Sequence, residues 1–186
     1  LDGILGEHRA PPHEAPVPFV GGAVGYLAYD LGRVLEPLPS LAQDDIGAPE
    51  LYLAFYDAVL AFCHRTGEVF ACGAHPSSAQ EASRRAEALL AAARQPQAPR
   101  EPGPASDGVL VGNFTRDQYL RAVERTVEYI HAGDIFQANL SQRFQTRLRV
   151  SPWELYRRLH ERNPAPFAAY LGFGDVQVVS ASPERF

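Results

Sequence analysis

The 186-residue sequence has no lysine and no methionine, only two cysteines and a single tryptophan. Each scarcity excludes something. All 17 basic residues are arginine, so no lysine nucleophile or Schiff base can come from this stretch. Because translation starts with methionine, its absence predicts a processed chain or a piece of a longer one. The net charge of −5 lacks the excess positive charge of a broad nucleic-acid footprint. No apolar run reaches the roughly 20 residues of a membrane span. The opening LDGILGEHRAPPHEAP has neither the basic start nor the apolar stretch of a signal peptide. Cys63 and Cys72 flank a turn in AFCHRTGEVFACG. Two cysteines alone do not make a metal site, so they are read as buried free thiols on a hairpin. The expected location is the cytoplasm, with neither nucleic acid nor membrane as a partner.

What is present is an ordinary globular composition, 46% hydrophobic and 21% charged. Residues 17–30, VPFVGGAVGYLAYD, read as a buried strand broken by small residues. Residues 51–63 and 68–73 read as a hairpin about Arg65–Glu68. Residues 78–94 are alanine-rich and open on Ser78 and Glu81, which predicts a capped helix. The stretch 95–108, QPQAPREPGPASDG, has four prolines and no apolar periodicity. It reads as a linker between portions 1–94 and 109–186.

After it, Thr115 with Gln118 predicts a second capped helix, with Tyr119, Val123, Val127 and Ile130 on one side and Gly133 ending it. GDIFQANLSQRF, 133–144, alternates like a strand, with Gln137, Asn139 and Ser141 on its polar face. Ser151-Pro152-Trp153-Glu154 predicts a third helix, reaching about Asn163. PFAAYLGF and VQVVSAS predict a closing hairpin. Helices and strands mix without a βαβ repeat, so the fold class is α+β.

Several motifs fail on inspection. GGAVGY, 21–26, is not G-x-G-x-x-G and leads into more strand-like sequence, so it lacks the helix N-terminus that cradles phosphate. The histidines at 8, 13, 64, 75, 131 and 160 show no metal-ligand spacing, and no G-x-S-x-G elbow is present. Two features remain. One is the row of neutral amides and hydroxyls in 133–144, which buried would need partners, and which we expect to hold local architecture near a cleft. The other is Ser182-Pro183-Glu184-Arg185, where a proline-stiffened turn sets a glutamate at the rim of a sheet. The plain alternatives are a solvated strand face and a surface glutamate paired with arginine.

PFVGGAVGYLAYDLGR, GDIFQANLSQRF, NPAPFAAYL and SPERF, in this order along the chain, together resemble the chorismate-utilising enzymes. Within that family they look most like component I of aminodeoxychorismate synthase, with component I of anthranilate synthase as the sister. Asn163-Pro164-Ala165-Pro166-Phe167-Ala168 is closer to the aminodeoxychorismate branch than the N-P-S-P-Y-M typical of the sister.

The resemblance implies part of an α+β fold of β-sheets flanked by helices. Residues 1–94 would be an N-terminal portion without its first strands, and 109–186 the opening of the chorismate-binding portion. It implies Mg²⁺ as cofactor, with ligands outside this stretch, and a glutaminase partner supplying ammonia for amination of chorismate at C4. It makes Glu184 a catalytic acid/base, and Pro166 and Phe167 part of a tryptophan pocket. The lysine nucleophile and the metal ligands would lie beyond these residues, so the stretch alone is expected to be inactive. The alternatives are the anthranilate reaction, and a fragment that binds tryptophan or a partner without turnover.

Overall fold

The computed structural model describes residues 2–7 and 15–185. His8 and His13 fall outside them, as does Phe186. The architecture mixes helices and strands, as expected of an α+β fold. The chain forms two compact units: the residues before Pro99 together with Phe173–Val176, and the rest.

In the first unit, helix α1 spans Asp2–Glu7. Strand β1, Gly22–Leu27, pairs antiparallel with β2, Leu51–Tyr56, placing Gly22 opposite Tyr56 and Leu27 opposite Leu51. The expected strand over 17–30 is therefore shorter and only half-buried. It gives way to a 3-10 turn over Tyr29–Val34, which Asp30 and Arg33 brace with an ion pair. The apolar run 51–63 also divides, at Asp57, because β2 faces β1 while β3, Ala58–Phe62, pairs with β4, Val69–Gly73. The turn between β3 and β4 needs Gly67, whose φ of 74° is left-handed. Helix α2, Ala79–Ala93, opens on Ser78, whose hydroxyl accepts the Glu81 N–H. It packs on β3 and β4. That contact requires Gly73: a Cβ there would collide with the Ala82 carbonyl. Gly25 plays the same part in β1, against the Tyr52 carbonyl. Phe173 sits among the rings of Tyr26 and Tyr52, with centroids 5.4 and 4.1 Å away.

In the second unit, β5 (Val111–Gly112) pairs with β6 (Phe144–Gln145). Helix α3 spans Arg116–Ala132, with a full capping box from Thr115 and Gln118 and a left-handed Gly133 at its end. Helix α4, Pro152–Arg162, starts on Ser151 with proline in its first turn. Strands β7, Phe167–Phe173, and β8, Val176–Ser182, pair across a turn at Gly174. Aromatic contacts seat α4 on β7, with Trp153 and Tyr156 lying 5.2 and 5.9 Å from Tyr170.

GDIFQANLSQRF departs from its expectation. Only its last residue, Phe144, enters a ladder; residues 135–143 run without strand pairing. Alternation makes a segment suitable for a strand, but a strand exists only where a neighbour takes its backbone groups. Here that neighbour reaches just the end, where Asn113 receives the Arg143 N–H on its side-chain oxygen at 2.8 Å and donates its own N–H to the Arg143 carbonyl. Gln137, Asn139 and Ser141 are exposed, so the expectation that they hold local architecture fails among the described residues.

No helix of the described residues is long and apolar enough to cross a membrane. Cys63 and Cys72 are free and half-buried, not fully buried as expected. Register separates them: Cys72 faces Val59, whereas Cys63 takes the Glu68 carbonyl at the hairpin turn. The Thr66 side chain and the backbone of Thr66 and Arg65 hold the Cys63 thiol below its ordinary pKa.

Candidate active site

The residues singled out from sequence meet where β8 ends and β7 begins. β8 stops at Ser182, whose hydroxyl donates to the Glu184 carbonyl at 2.8 Å. This local bond, with Pro183 in between, closes the turn that carries Glu184 past the strand. The Glu184 residue is exposed, free to present its carboxyl group beyond the sheet. Next in sequence, the Arg185 guanidinium lies 5.7 Å from the centroid of the Phe167 ring, within cation–π range. Phe167 opens β7, and Pro166 precedes it in a turn closed by the Ala168 N–H on the Ala165 carbonyl. Both residues are exposed. Glu184 and Phe167 thus share one end of the β7–β8 pair, although 17 positions separate them in sequence. The plain alternative for Glu184 paired it with arginine; among the described residues no ion pair joins them, and Arg185 lies over the Phe167 ring.

A second cluster escaped sequence reasoning. Glu154, only 3% exposed, takes Arg100, Arg157 and Arg158 around its carboxylate. Arg158 also donates to the carbonyls of Glu101 and Gly103, and the Ser151 N–H reaches the Glu101 carboxylate at 2.9 Å. Arg100 pairs with Glu161 as well. The second half of the proline-rich stretch is thereby clasped to α4, and Ser106 further on pairs with Leu148. Hydrogen bonding from Arg158, then from Arg100, holds the Glu154 carboxyl below the usual glutamate range, despite its burial. The signal was legible: Glu154, Arg157 and Arg158 stand at i, i+3 and i+4 on a helix. Their partners across 54 residues of sequence were not.

Among the described residues no three His, Cys, Asp or Glu side chains converge to hold a metal ion. The Mg²⁺ that the resemblance implies has no ligand set here, and no chemical step is routed through it.

The model of the chorismate binding enzyme family matches residues 4–186, almost the full length. The chain belongs to the chorismate-binding enzyme family. Within it, the chain is 43% identical over 175 residues to anthranilate synthase component 1 of Thermus thermophilus, covering 90% of this chain and 36% of that protein. It is 34% identical over 176 residues to aminodeoxychorismate synthase component 1 of Bacillus subtilis, covering 92% and 37%. The crystal structure of anthranilate synthase component I from Streptococcus pneumoniae TIGR4 superposes with a TM-score of 0.78 at 28% identity, over 98% of this chain and 43% of that one. The chain therefore spans little more than a third of the curated relatives' length, and its fold is part of the chorismate-binding fold.

Proposed function

We propose that this chain is part of component I of an aminodeoxychorismate synthase, which aminates chorismate at C4 with ammonia from a glutaminase partner. One observation carries the reading: Glu184 stands exposed at the end of β8, beside the Phe167 end of β7. The two segments that bear the resemblance are thus neighbours in space. Hydroxide leaves poorly from C4, and a positioned carboxylic acid that protonates it supplies the missing acid catalysis. Glu184 is that acid: the C4 oxygen leaves as water, ammonia bonds to C4, and the Glu184 carboxylate then takes a proton from the added ammonium group. Pro166 and Phe167 form one wall of a tryptophan pocket in this reading. Mg²⁺, when bound, would neutralise substrate charge, with ligands that this reading puts outside the described residues. The setting is cytoplasmic, in keeping with two free thiols.

The test uses the complete protein supplied with chorismate, Mg²⁺ and ammonium. The expected product is 4-amino-4-deoxychorismate, and Glu184→Gln should cut its formation at least ~100-fold with the circular dichroism spectrum unchanged. Turnover near that of the parent would remove Glu184 from the chemistry.

A second reading, anthranilate synthase component I, is favoured by the 43% identity to the Thermus thermophilus protein. The same assay separates the two, since that reading requires anthranilate as the product. A fragment that binds without turning over is the reading left if neither product forms.

A further inference from the structure

The end of the proline-rich stretch is not slack linker but a strap held against α4. Arg100 bridges Glu154 and Glu161, which stand two turns apart on that helix. Beyond it, alternate carbonyls accept from one short segment of chain. Arg158 donates to those of Glu101 and Gly103, and the Arg149 N–H donates to that of Ala105 at 2.9 Å. The Glu101 carboxylate takes the N–H of Ser151, the residue that caps α4. Pro102 and Pro104 have no N–H to leave unpaired and fix their own φ. Gly103 between them bends with a left-handed φ of 84°. Prolines leave the free chain fewer states, so holding the strap costs less entropy.

The same turn of α4 grips β7. Trp153 and Tyr156 flank Glu154 in sequence, and their rings lie against Tyr170. A second tie runs through the chain itself. Asn163-Pro164-Ala165-Pro166 alone joins the end of α4 to Phe167. Two of these residues are proline, and the Asn163 N–H is bonded back to the Leu159 carbonyl at 2.8 Å, so the joint is stiff. Where α4 lies therefore decides where β7 begins. The Phe167 ring at that point carries the Arg185 guanidinium, next in sequence to Glu184.

We propose that Arg100 and Glu101 are positioning residues for Glu184: by fixing α4 they set the start of β7, and with it the Phe167 ring on which Arg185 rests. An unbroken series of hydrogen bonds and packed rings is the physical means of such coupling. A small displacement of a catalytic group is enough to slow a reaction. The inference deepens the proposed function and rests on its assignment of the acid to Glu184.

The experiment uses the complete protein and reads hydrogen exchange and turnover separately. Arg100→Ala leaves Glu154 its contacts from Arg157 and Arg158, so α4 keeps its own ion pairs. In Arg100→Ala and in Glu101→Ala, the amides of residues 168–171 should exchange at least ~10-fold faster, with those of β3 and β4 unchanged. Amination of chorismate should fall at least ~5-fold in Arg100→Ala, and by nothing further when Arg100→Ala is added to Glu184→Gln, because the two changes act through one group. Unchanged exchange in 168–171 would overturn the proposal, as would equal acceleration throughout the protein. Equal losses of turnover in the two backgrounds would overturn it too. Should the parent form another product or none, the reaction assigned above falls, and the exchange pattern alone then supports or overturns the positioning role.

Discussion

Gly73 and Gly25 show how single positions set distances in this structure. Neither needs unusual backbone angles; each is glycine because a carbonyl lies where its Cβ would be. At Gly73 the carbonyl is that of Ala82, so glycine decides how closely α2 approaches β4. Gly73→Ala should destabilise the first unit by about 1–3 kcal/mol, the usual cost of overpacking, read as a shift in the urea midpoint with unchanged slope. Glu184 is the opposite kind of residue. Its exposure means that truncation removes nothing from a core, so Glu184→Gln should leave stability unchanged even where activity is lost. A fall of several degrees in the melting temperature of that variant would show that Glu184 supports the fold instead.

At the scale of elements, the helices are set by their caps and by arginine–carboxylate contacts. Ser78 accepts the Glu81 N–H at the start of α2, and Ser78→Ala should cost about 1 kcal/mol in denaturant unfolding. The Glu81 side chain, bonded by Arg84 and then Arg85, is lowered from 4.5 to about 2; Arg85 also pairs with Asp57, in the turn between β2 and β3. The Glu154 carboxyl on α4 is lowered in the same direction, chiefly by Arg158. A carboxylate with a depressed folded pKa adds stability that is fully present above its unfolded value and is lost as pH falls through the folded value. For Glu81 that window runs from about 4.5 down to about 2. Stability measured from pH 7 to pH 2 should therefore decline on the acid side, with a shallower decline in Glu81→Gln and in Glu154→Gln. Glu154→Gln should also release the segment it clasps, so trypsin should cut after Arg100 faster than in the parent. Parallel pH curves for the parent and both variants would refute the electrostatic account of these elements.

At the scale of the whole molecule, local signals and packing separate. Ser78, Thr115, Gly133 and Ser151 each marked a helix end within a residue of its observed place, because a cap is a contact between neighbours in sequence. The β3–β4 and β7–β8 pairs were legible for the same reason, each closing over a short turn. The division of 51–63 at Asp57 was not, since it depends on β1, some thirty residues upstream. The strand expected over 133–144 is the sharpest case: its alternation is real, yet only Phe144 finds a partner within the ladder.

The sequence by itself determined helices α2, α3 and α4 with their capped ends, the hairpin turns, the α+β class and, through four ordered segments, the family. All of these rest on residues a few positions apart or on a pattern carried whole. Only the tertiary structure decided that Glu184 and Phe167 share one end of the β7–β8 pair, that Arg185 turns to the Phe167 ring, and that Arg100 and Glu101 clasp α4. Such contacts join positions as many as 61 residues apart, as in the Arg100–Glu161 pair. Their geometry follows from how strands pair and helices pack, which alternation and capping leave open.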